Sequence, residues 1–370
     1  MKRPHQMDKK SNKKPRESPV VSTYPLPARI AEKFELNWPI SGGIAVQSNN
    51  LEVRRLLSLV TELAELTLLR IEEKTGKISV DLYGSGRSGF FDYNSSDLDI
   101  SVRAEGPWHQ LGPKEQLKFS KRFLEGFKKT VLEFCPPTDQ SKIKLVLYAR
   151  VPVFFFYDLW TGRPSGGFTE VNVIFGPEGG IHNSCLLHEY AKFDQCLYLV
   201  GQCVKKWAKS CEIVNCDEND FSCLSAYSWL LLVIFYFQAK QRTVPSLQYL
   251  AINNSSIGSQ KQPMWGSETT LDTRFVTAES AKSLWTGPVS KNPNECLRGF
   301  YQFYDSEFKF ASMTVDIRNP EKGLANKTMH DNGGRFLALL DPFEDRNLAR
   351  GLSRKSWKRI KDAIAYAAAL

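Results

Sequence analysis

The segment that most restricts the fold of this chain is GSGRSGFFDYNSSDLD, which runs from Gly84 to Asp99. A β-type run over 78–83 ends directly in its Gly-Ser-Gly turn, and a second β-type run follows over 98–102. Because side chains alternate along a strand, Asp97 and Asp99 lie on the same face. The order of strand, glycine turn, short helix and strand predicts a mixed α/β unit with two carboxylates beside the turn.

The glycine turn and the two carboxylates together predict a ligand site. Asp97 and Asp99 repel each other unless cations lie between them, and their oxygen ligands suit Mg²⁺ or Mn²⁺. Gly84 lets backbone N–H groups approach phosphate oxygens, and the Ser85 hydroxyl can donate to the same oxygens. Glycine turns and solvent-facing aspartates are common separately. Their combination in this order predicts a nucleoside triphosphate site with metal ions.

The charge balance indicates the class of partner. The 370 residues carry a net charge of +9, which favours a polyanion. Residues 1–25 are predicted to form a basic disordered tail, which suits a nuclear signal, an RNA-binding arm or a solvated segment. No apolar run approaches the roughly 20 residues of a membrane-spanning helix. We expect a cytoplasmic protein without a membrane partner, or a nuclear one imported through the tail.

The eight cysteines are scattered, and none forms a CxxC pair. This spacing does not match that of structural zinc sites. Several cysteines lie in apolar helical stretches, which predicts reduced thiols in the core of an intracellular protein.

Patterning predicts a mixed α/β segment followed by a mainly helical one. Further strands are predicted over 145–157 and 168–175. Helices are predicted over 51–73, 114–134, 186–210, 224–240, 297–310 and 353–368. Residues 251–295 are predicted to form an irregular connection because they hold many Ser, Asn, Thr and Gly.

The segment 84–99 resembles the signature of the DNA polymerase β-like nucleotidyltransferases. Five later blocks occur in the order found in terminal uridylyltransferases and the related cytoplasmic poly(A) polymerases. These blocks are Ala149–Val153 (ARVPV), Gly180–Ser184 (GIHNS), Val204–Lys209 (VKKWAK), Leu224–Tyr227 (LSAY) and Asp341–Glu344 (DPFE). The resemblance extends from about residue 50 to the C terminus, and it distinguishes this chain from relatives that make oligonucleotide second messengers.

The resemblance implies an α+β, two-domain fold with the active site in the cleft between the domains. The expected parts are the tail 1–25, a polymerase β-like palm over 26–182 with its N-terminal helices, and a helical PAP-associated domain over 183–370. A base-reading loop is expected near 341–350. The implied substrates are UTP or ATP and RNA 3′ ends rather than DNA, and a separate RNA-binding protein is an expected partner.

The same resemblance assigns roles to residues of the later blocks. Asn183 would contact the ribose or the base, and Lys205 and Lys209, on one helix face, would neutralise the triphosphate. Tyr227, beside Ser225, would stack on the base.

Asp341 and Glu344 lie in the implied base-reading loop. Taken without the resemblance, the lysine pair also fits a solvated basic face and Tyr227 a core tyrosine. The two acidic residues equally fit the first turn of a helix.

One catalytic position departs from the family pattern. The third carboxylate of the family lies ten residues before the histidine of the GIHNS block, and this chain has Asn172 there. Glu170 shares its strand face, but relatives often carry a Glu-x-Asp pair, which makes Asn172 the replacement. An amide is a weaker metal ligand than a carboxylate and cannot take a proton. The chain is therefore predicted to be a slow nucleotidyltransferase or an inactive protein that binds nucleotide or RNA.

The choice between UTP and ATP stays open at this level. The loop from Asp341 lacks a histidine that uridylyltransferases often have, and its length resembles that of adenylating members. Residues 347–355, NLARGLSRK, resemble the larger uridylyltransferases instead. Overall similarity favours UTP, against the length of the loop.

Overall fold

The computed structural model describes most of the chain after residue 50. The described residues are 51–71, 78–92, 96–104, 111–134, 143–159, 168–176, 179–214, 223–254, 261–263, 270–290, 292–325 and 336–370. The predicted tail over 1–25 lies outside them.

A five-stranded mixed sheet, in the order β1-β2-β5-β4-β3, carries the glycine turn and the aspartates. Its strands are β1 Ile78–Tyr83, β2 Leu98–Ala104, β3 Lys144–Val146, β4 Val153–Leu159 and β5 Phe168–Phe175. β2 is antiparallel to β1 and parallel to β5, and β4 is antiparallel to both β5 and β3. The predicted strands are confirmed, and the run over 145–157 divides into β3 and β4.

Two long helices pack on this sheet and bury its first hydrophobic cluster. They are α1 Leu51–Arg70 and α3 Pro113–Phe134, with the single turn α2 Gly84–Ser88 between them in sequence. Apolar side chains at helical spacing in both helices meet those of β1, β2, β4 and β5. The Thr67 hydroxyl donates to Thr130 at 3.0 Å and ties α1 to α3. This packing fixes the end of β2 at which Asp97 and Asp99 lie.

A second, larger hydrophobic cluster lies among the later helices. These are α4 Gly179–Phe193, α5 Gln195–Ser210, α6 Ala226–Tyr236, α7 Leu247–Ile252, α8 Ala278–Leu284, α9 Pro293–Gln302, α10 Pro320–Ala325 and α11 Arg354–Ala368. Within the described ranges, no helix is both long enough and apolar enough to cross a membrane. The α+β fold class is confirmed, because the sheet and its helices precede a mainly helical second half.

The structure corrects four predicted elements. The helix expected over 186–210 divides at Asp194, whose carboxylate accepts from the Leu197 N–H and begins α5. Residues 224–240 and 297–310 each end in a π-helical turn, Phe237–Gln241 and Phe303–Glu307. The connection over 251–295 was predicted as irregular, but it contains α8, whose Thr277 hydroxyl caps the first turn.

The cysteine prediction is partly confirmed. Among the cysteines that the structure describes, five are free thiols, and four of these are buried, namely Cys196, Cys203, Cys211 and Cys296. Cys223 is disulfide-bonded, so the expectation of reduced thiols is wrong for this residue.

Candidate active site

The turn that follows β1 brings the backbone close to Asp99. Gly84 has a φ of 60°, and a Cβ atom there would lie 2.0 Å from Asp99 Oδ2. Its N–H donates to the Ser184 hydroxyl at 2.7 Å, and that hydroxyl donates to the Gly180 carbonyl at 2.5 Å. Only glycine combines this backbone conformation with so close an approach. The first turns of α2 and α4 are thereby held beside the carboxylates.

Asp99 lies on β2 between two neighbouring strands. The β-sheet register places it opposite Tyr83 of β1 and opposite Asn172 of β5. The Asn172 Nδ2 group donates to Asp99 Oδ1 at 3.0 Å. Burial, the Asn172 hydrogen bond, and the charges of Asp97, Lys205 and Glu170 together set the pKa of the Asp99 carboxyl at about 7. Burial is the largest cause, the two negative charges also raise the pKa, and the hydrogen bond and the Lys205 charge lower it. The carboxyl is therefore poised between its two protonation states near neutral pH.

Glu170 is occupied by a different neighbour. Tyr157 on β4 pairs with it across the sheet, and the Tyr157 hydroxyl donates to Glu170 Oε2 at 2.7 Å. Asn172, two residues further along β5, contacts Asp99 directly. Of these two residues of β5, Asn172 is the one that contacts Asp99, and Glu170 is bonded to Tyr157 instead.

The residues around Asp99 fit a divalent cation. Asp97 and Asp99 line the same cleft as Asn172. Asn172 Oδ1 is buried and has no hydrogen-bond partner among the described residues. Two carboxylates and an amide oxygen form a hard, all-oxygen ligand set, although the third ligand is neutral.

Lys205 and Lys209 both line this cleft from α5. The Lys205 Nζ group donates to the Phe90 carbonyl at 2.6 Å and to the Ser96 hydroxyl at 3.2 Å. Burial lowers the pKa of Lys205 to about 8, which the charge of Asp92 opposes. The two ammonium groups give the end of the cleft near Ser96 a positive charge that suits phosphate.

We expect nucleotide affinity to fall as the pH rises through about 8. A lysine with a lowered pKa is charged only below that value, so Lys205 loses its attraction for phosphate above pH 8. Titration with UTP at pH about 7 and about 9 measures the change, which should be several-fold. Lys205→Arg keeps its charge at both pH values and shares every other titrating group, so the native chain should lose affinity relative to this variant as the pH rises. If the ratio of the two UTP affinities, native chain to variant, is the same at both pH values, the prediction is contradicted.

The cleft has a volume of about 570 Å³ and collects most of the residues predicted for the site. Its lining includes Gly84, Ser85, Asp97, Asp99, Asn172, Asn183, Lys205, Lys209, Ser225 and Tyr227. The Ser225 hydroxyl caps α6 by accepting from the Ser228 N–H at 3.1 Å. Asn183 Oδ1 and the Tyr227 hydroxyl are buried and have no partner within the described part of the chain. Both groups can bond a ligand in this cleft.

The two acidic residues of the predicted base-reading loop are placed differently. Asp341 and Glu344 do not line the cleft. Asp341 is 1% exposed, and its Oδ1 accepts the N–H groups of Phe343 and Glu344 at 3.0 Å each. The charges of both acidic residues raise the pKa of the Tyr227 hydroxyl, after the larger effect of its burial. The loop therefore lies behind Tyr227, and Asp341 holds its backbone.

Asn347 closes this loop with three backbone hydrogen bonds. Its Oδ1 accepts from Leu339 N at 3.1 Å and Ala349 N at 2.9 Å, and its Nδ2 donates to the Leu337 carbonyl at 3.0 Å. We expect Asn347→Ala to lower the free energy of unfolding by ~2–3 kcal/mol, because buried backbone groups lose their partners. Urea denaturation measures the loss. A loss no larger than that of the exposed Asn253→Ala would contradict the prediction.

Sequence reasoning missed several residues of the site. Ser184 and Gly180 belong to the GIHNS block, but the sequence assigns them no role. In the structure the Ser184 hydroxyl links the Gly84 N–H to the Gly180 carbonyl. Ser96 and the Phe90 carbonyl hold Lys205. No pattern in the sequence predicts these two contacts of Lys205, because they depend on how α5 packs against the segment before β2.

Comparison with known proteins identifies relatives of this arrangement. Residues 45–192 match the protein family described as "Poly(A) RNA polymerase, mitochondrial-like, central palm domain". Terminal uridylyltransferase 4 of Mus musculus is 27% identical over 295 residues, or 79% of this chain. Poly(A) RNA polymerase GLD2 of Rattus norvegicus is 24% identical over 296 residues, or 76% of this chain.

These relatives are longer than the present chain. It spans 16% of Terminal uridylyltransferase 4 and 56% of the GLD2 polymerase. Among solved structures, a mutant of the Cid1 poly(U) polymerase bound to MgATP superposes with a TM-score of 0.65 over 93% of both chains, at 23% identity. This likeness establishes the fold.

Proposed function

We propose that this chain, which belongs to the family of terminal uridylyltransferases and related poly(A) polymerases, adds nucleotides to RNA 3′ ends without a template. The observation that carries the proposal is the single cleft in which Asp97, Asp99 and the Lys205–Lys209 pair meet the Gly84 turn. Carboxylates for cations, ammonium groups and a glycine turn for phosphates are the groups that a nucleoside triphosphate requires. The relatives are named for both uridylyl and adenylyl transfer.

The proposed reaction is an in-line displacement. The RNA 3′-hydroxyl oxygen forms a bond to the α-phosphorus, the bond from that phosphorus to the bridging oxygen breaks, and pyrophosphate leaves. Asp97, Asp99 and Asn172 would hold Mg²⁺ or Mn²⁺, which supplies charge stabilisation for the attacking and leaving oxygens. Lys205 and Lys209 would neutralise the triphosphate, and Asn183 and Tyr227 would contact the ribose and the base. Asp341 and Glu344 would act on base choice through Tyr227.

The attacking hydroxyl must also lose a proton, and Asn172 cannot accept it. The proton therefore passes to water or to another group of the site, which slows the reaction. A second function is favoured by the same residue, because the Asn172 amide donates to Asp99 where a third carboxylate would act. In this second proposal the chain is a catalytically inactive partner that binds nucleotide or RNA.

The proposed nucleotide is UTP in preference to ATP. Terminal uridylyltransferase 4 is the relative with the higher identity, 27% against 24% for the GLD2 polymerase. The length of the loop after Asp341 favours ATP instead. Asn347 is committed to backbone hydrogen bonds, so base choice would depend on Tyr227 and the acidic residues behind it.

Extension of a labelled single-stranded RNA with each of the four NTPs, in Mg²⁺ and in Mn²⁺, tests the proposal. The same RNA with a 3′-deoxy end is the matched control, because it lacks the attacking oxygen. We expect slow extension of the hydroxyl-ended RNA with UTP, and none of the control.

The outcomes separate the two functions. Tenfold better incorporation of ATP overturns the preference for UTP. Binding of NTP and RNA without extension in either metal supports the inactive partner. Failure to bind NTP refutes nucleotide transfer, and failure to bind both NTP and RNA refutes both functions.

A further inference from the structure

An exposed aromatic side chain lies at the edge of the sheet, outside the cleft. Tyr148 is 96% exposed, the highest value among the large hydrophobic and aromatic side chains that the structure describes as exposed. It follows β3, the edge strand, by two residues. Lys121 of α3 places its ammonium 5.5 Å from the centre of the Tyr148 ring. A tyrosine this open contributes little to folding, so its ring is available to a ligand.

Basic side chains occur on both elements next to this tyrosine, the helix α3 and the strand β3. α3 carries six basic and three acidic residues, and Lys118 and Lys114 lie one and two helical turns before Lys121. Lys144 on β3 is exposed. Exposed positive charge therefore occurs both on the helix that contacts the Tyr148 ring and on the edge strand that precedes this tyrosine.

Arg150 connects this surface to the cleft. Its Nη2 group donates to Glu344 Oε2 at 2.6 Å, across the gap between the sheet and the later helices. Glu344 belongs to the loop behind Tyr227, which lines the cleft. Tyr148 is two residues from Arg150, so at most ~7 Å of chain separates their Cα atoms. Tyr148 therefore lies only two residues along the chain from a side chain that contacts the loop next to the cleft.

We propose that Lys121, Lys144, Tyr148 and Arg150, the Tyr148 platform, bind single-stranded RNA upstream of the 3′ end that enters the cleft. A base stacks on the Tyr148 ring, and the basic side chains contact the neighbouring phosphates. An exposed aromatic ring bordered by cations is the general means by which proteins hold single strands without reading their sequence. The inference rests on the proposed function, because it assumes that the cleft receives the RNA end.

Binding of a fluorescein-labelled single-stranded RNA, without NTP, tests the platform by fluorescence anisotropy. We expect Tyr148→Ala to raise the RNA Kd about tenfold and Tyr148→Phe to keep it within about twofold, because phenylalanine retains the stacking face. Tyr366→Ala, which removes an exposed tyrosine from α11, is the matched control and should not change the Kd. All three variants should bind UTP and unfold thermally as the native chain does.

The salt dependence separates stacking from charge. Lys121→Ala should weaken RNA binding several-fold at low salt and reduce the slope of log Kd against log salt by about one. Tyr148→Ala should leave that slope unchanged, because the lost contact is not ionic. A Tyr148→Ala chain that binds RNA like the native chain overturns the inference. The inference is also overturned if Tyr148→Ala weakens binding only to a polyglutamate peptide and not to RNA.

The inference and the proposed function fail separately. A native chain that extends RNA while Tyr148→Ala binds and extends it equally well refutes the platform alone. A native chain that binds RNA through Tyr148 but never extends it refutes nucleotide transfer and supports the platform. A native chain that binds no RNA refutes both.

Discussion

Asn172→Asp is expected to raise the rate of RNA 3′ extension about a thousandfold. Such a gain corresponds to ~4 kcal/mol of activation free energy. The β-sheet register fixes the new carboxylate opposite Asp99, where the Asn172 amide now donates at 3.0 Å. A carboxylate at this position provides a charged metal ligand and can accept the proton of the attacking hydroxyl. Single-turnover extension of the labelled RNA with UTP measures the change.

The same substitution should have opposite effects on stability with and without a metal. Without a metal, the new carboxylate at position 172 would lie beside Asp97 and Asp99. The Asp99 carboxyl already has a pKa of about 7. We expect the melting temperature of Asn172→Asp to fall by ~2–4 °C in EDTA, for a loss of ~1 kcal/mol. Excess Mg²⁺ should reverse this order, because the variant binds the cation more tightly.

Glu170→Gln is the control for the alternative carboxylate. Glu170 accepts a hydrogen bond from the Tyr157 hydroxyl, so its loss should change the activity of the native chain less than threefold. A native chain that extends RNA as fast as Asn172→Asp would show that the amide does not limit turnover. A collapse of activity in Glu170→Gln would mean that Glu170 replaces the third carboxylate.

Gly84→Ala is expected to weaken UTP binding about hundredfold, or ~2.7 kcal/mol. The new Cβ atom would lie 2.0 Å from Asp99 Oδ2 and 3.0 Å from Asp99 Cγ, so the carboxylate must move. The φ of 60° adds a strain of ~1–2 kcal/mol for any residue with a Cβ atom. Isothermal titration with UTP and Mg²⁺ measures the affinity, and thermal unfolding measures the strain.

Gly179→Ala is the matched control for this change. Gly179 is also a glycine at the start of a helix, but a Cβ atom there meets no other atom within 4 Å. Its UTP affinity should equal that of the native chain, and its stability should change by no more than ~0.5 kcal/mol. Equal affinity in Gly84→Ala would contradict the role of the close approach between the turn and Asp99.

Much of the fold could be predicted, because helical and strand periodicities are local properties of the sequence. The predicted helix over 114–134 and the strand over 78–83 agree closely with α3 and β1. The helix break at Asp194 was missed, because its hydrogen bond to the Leu197 N–H lies within one continuous apolar pattern. The Cys223 disulfide was missed because pairing between cysteines is not visible in their spacing.

The sequence by itself determined the chemistry of the site. Two aspartates at strand spacing, a glycine turn and two lysines one helical turn apart predict a nucleotide site, and Asn172 stands where the resemblance implies a third carboxylate. The tertiary structure alone decided which groups touch. It pairs Asn172 with Asp99, puts Asp341 behind Tyr227, and links Arg150 to Glu344 across 194 positions of sequence. Residue type fixes what a group can do, but only the register of the sheet and the packing of distant helices decide what it meets.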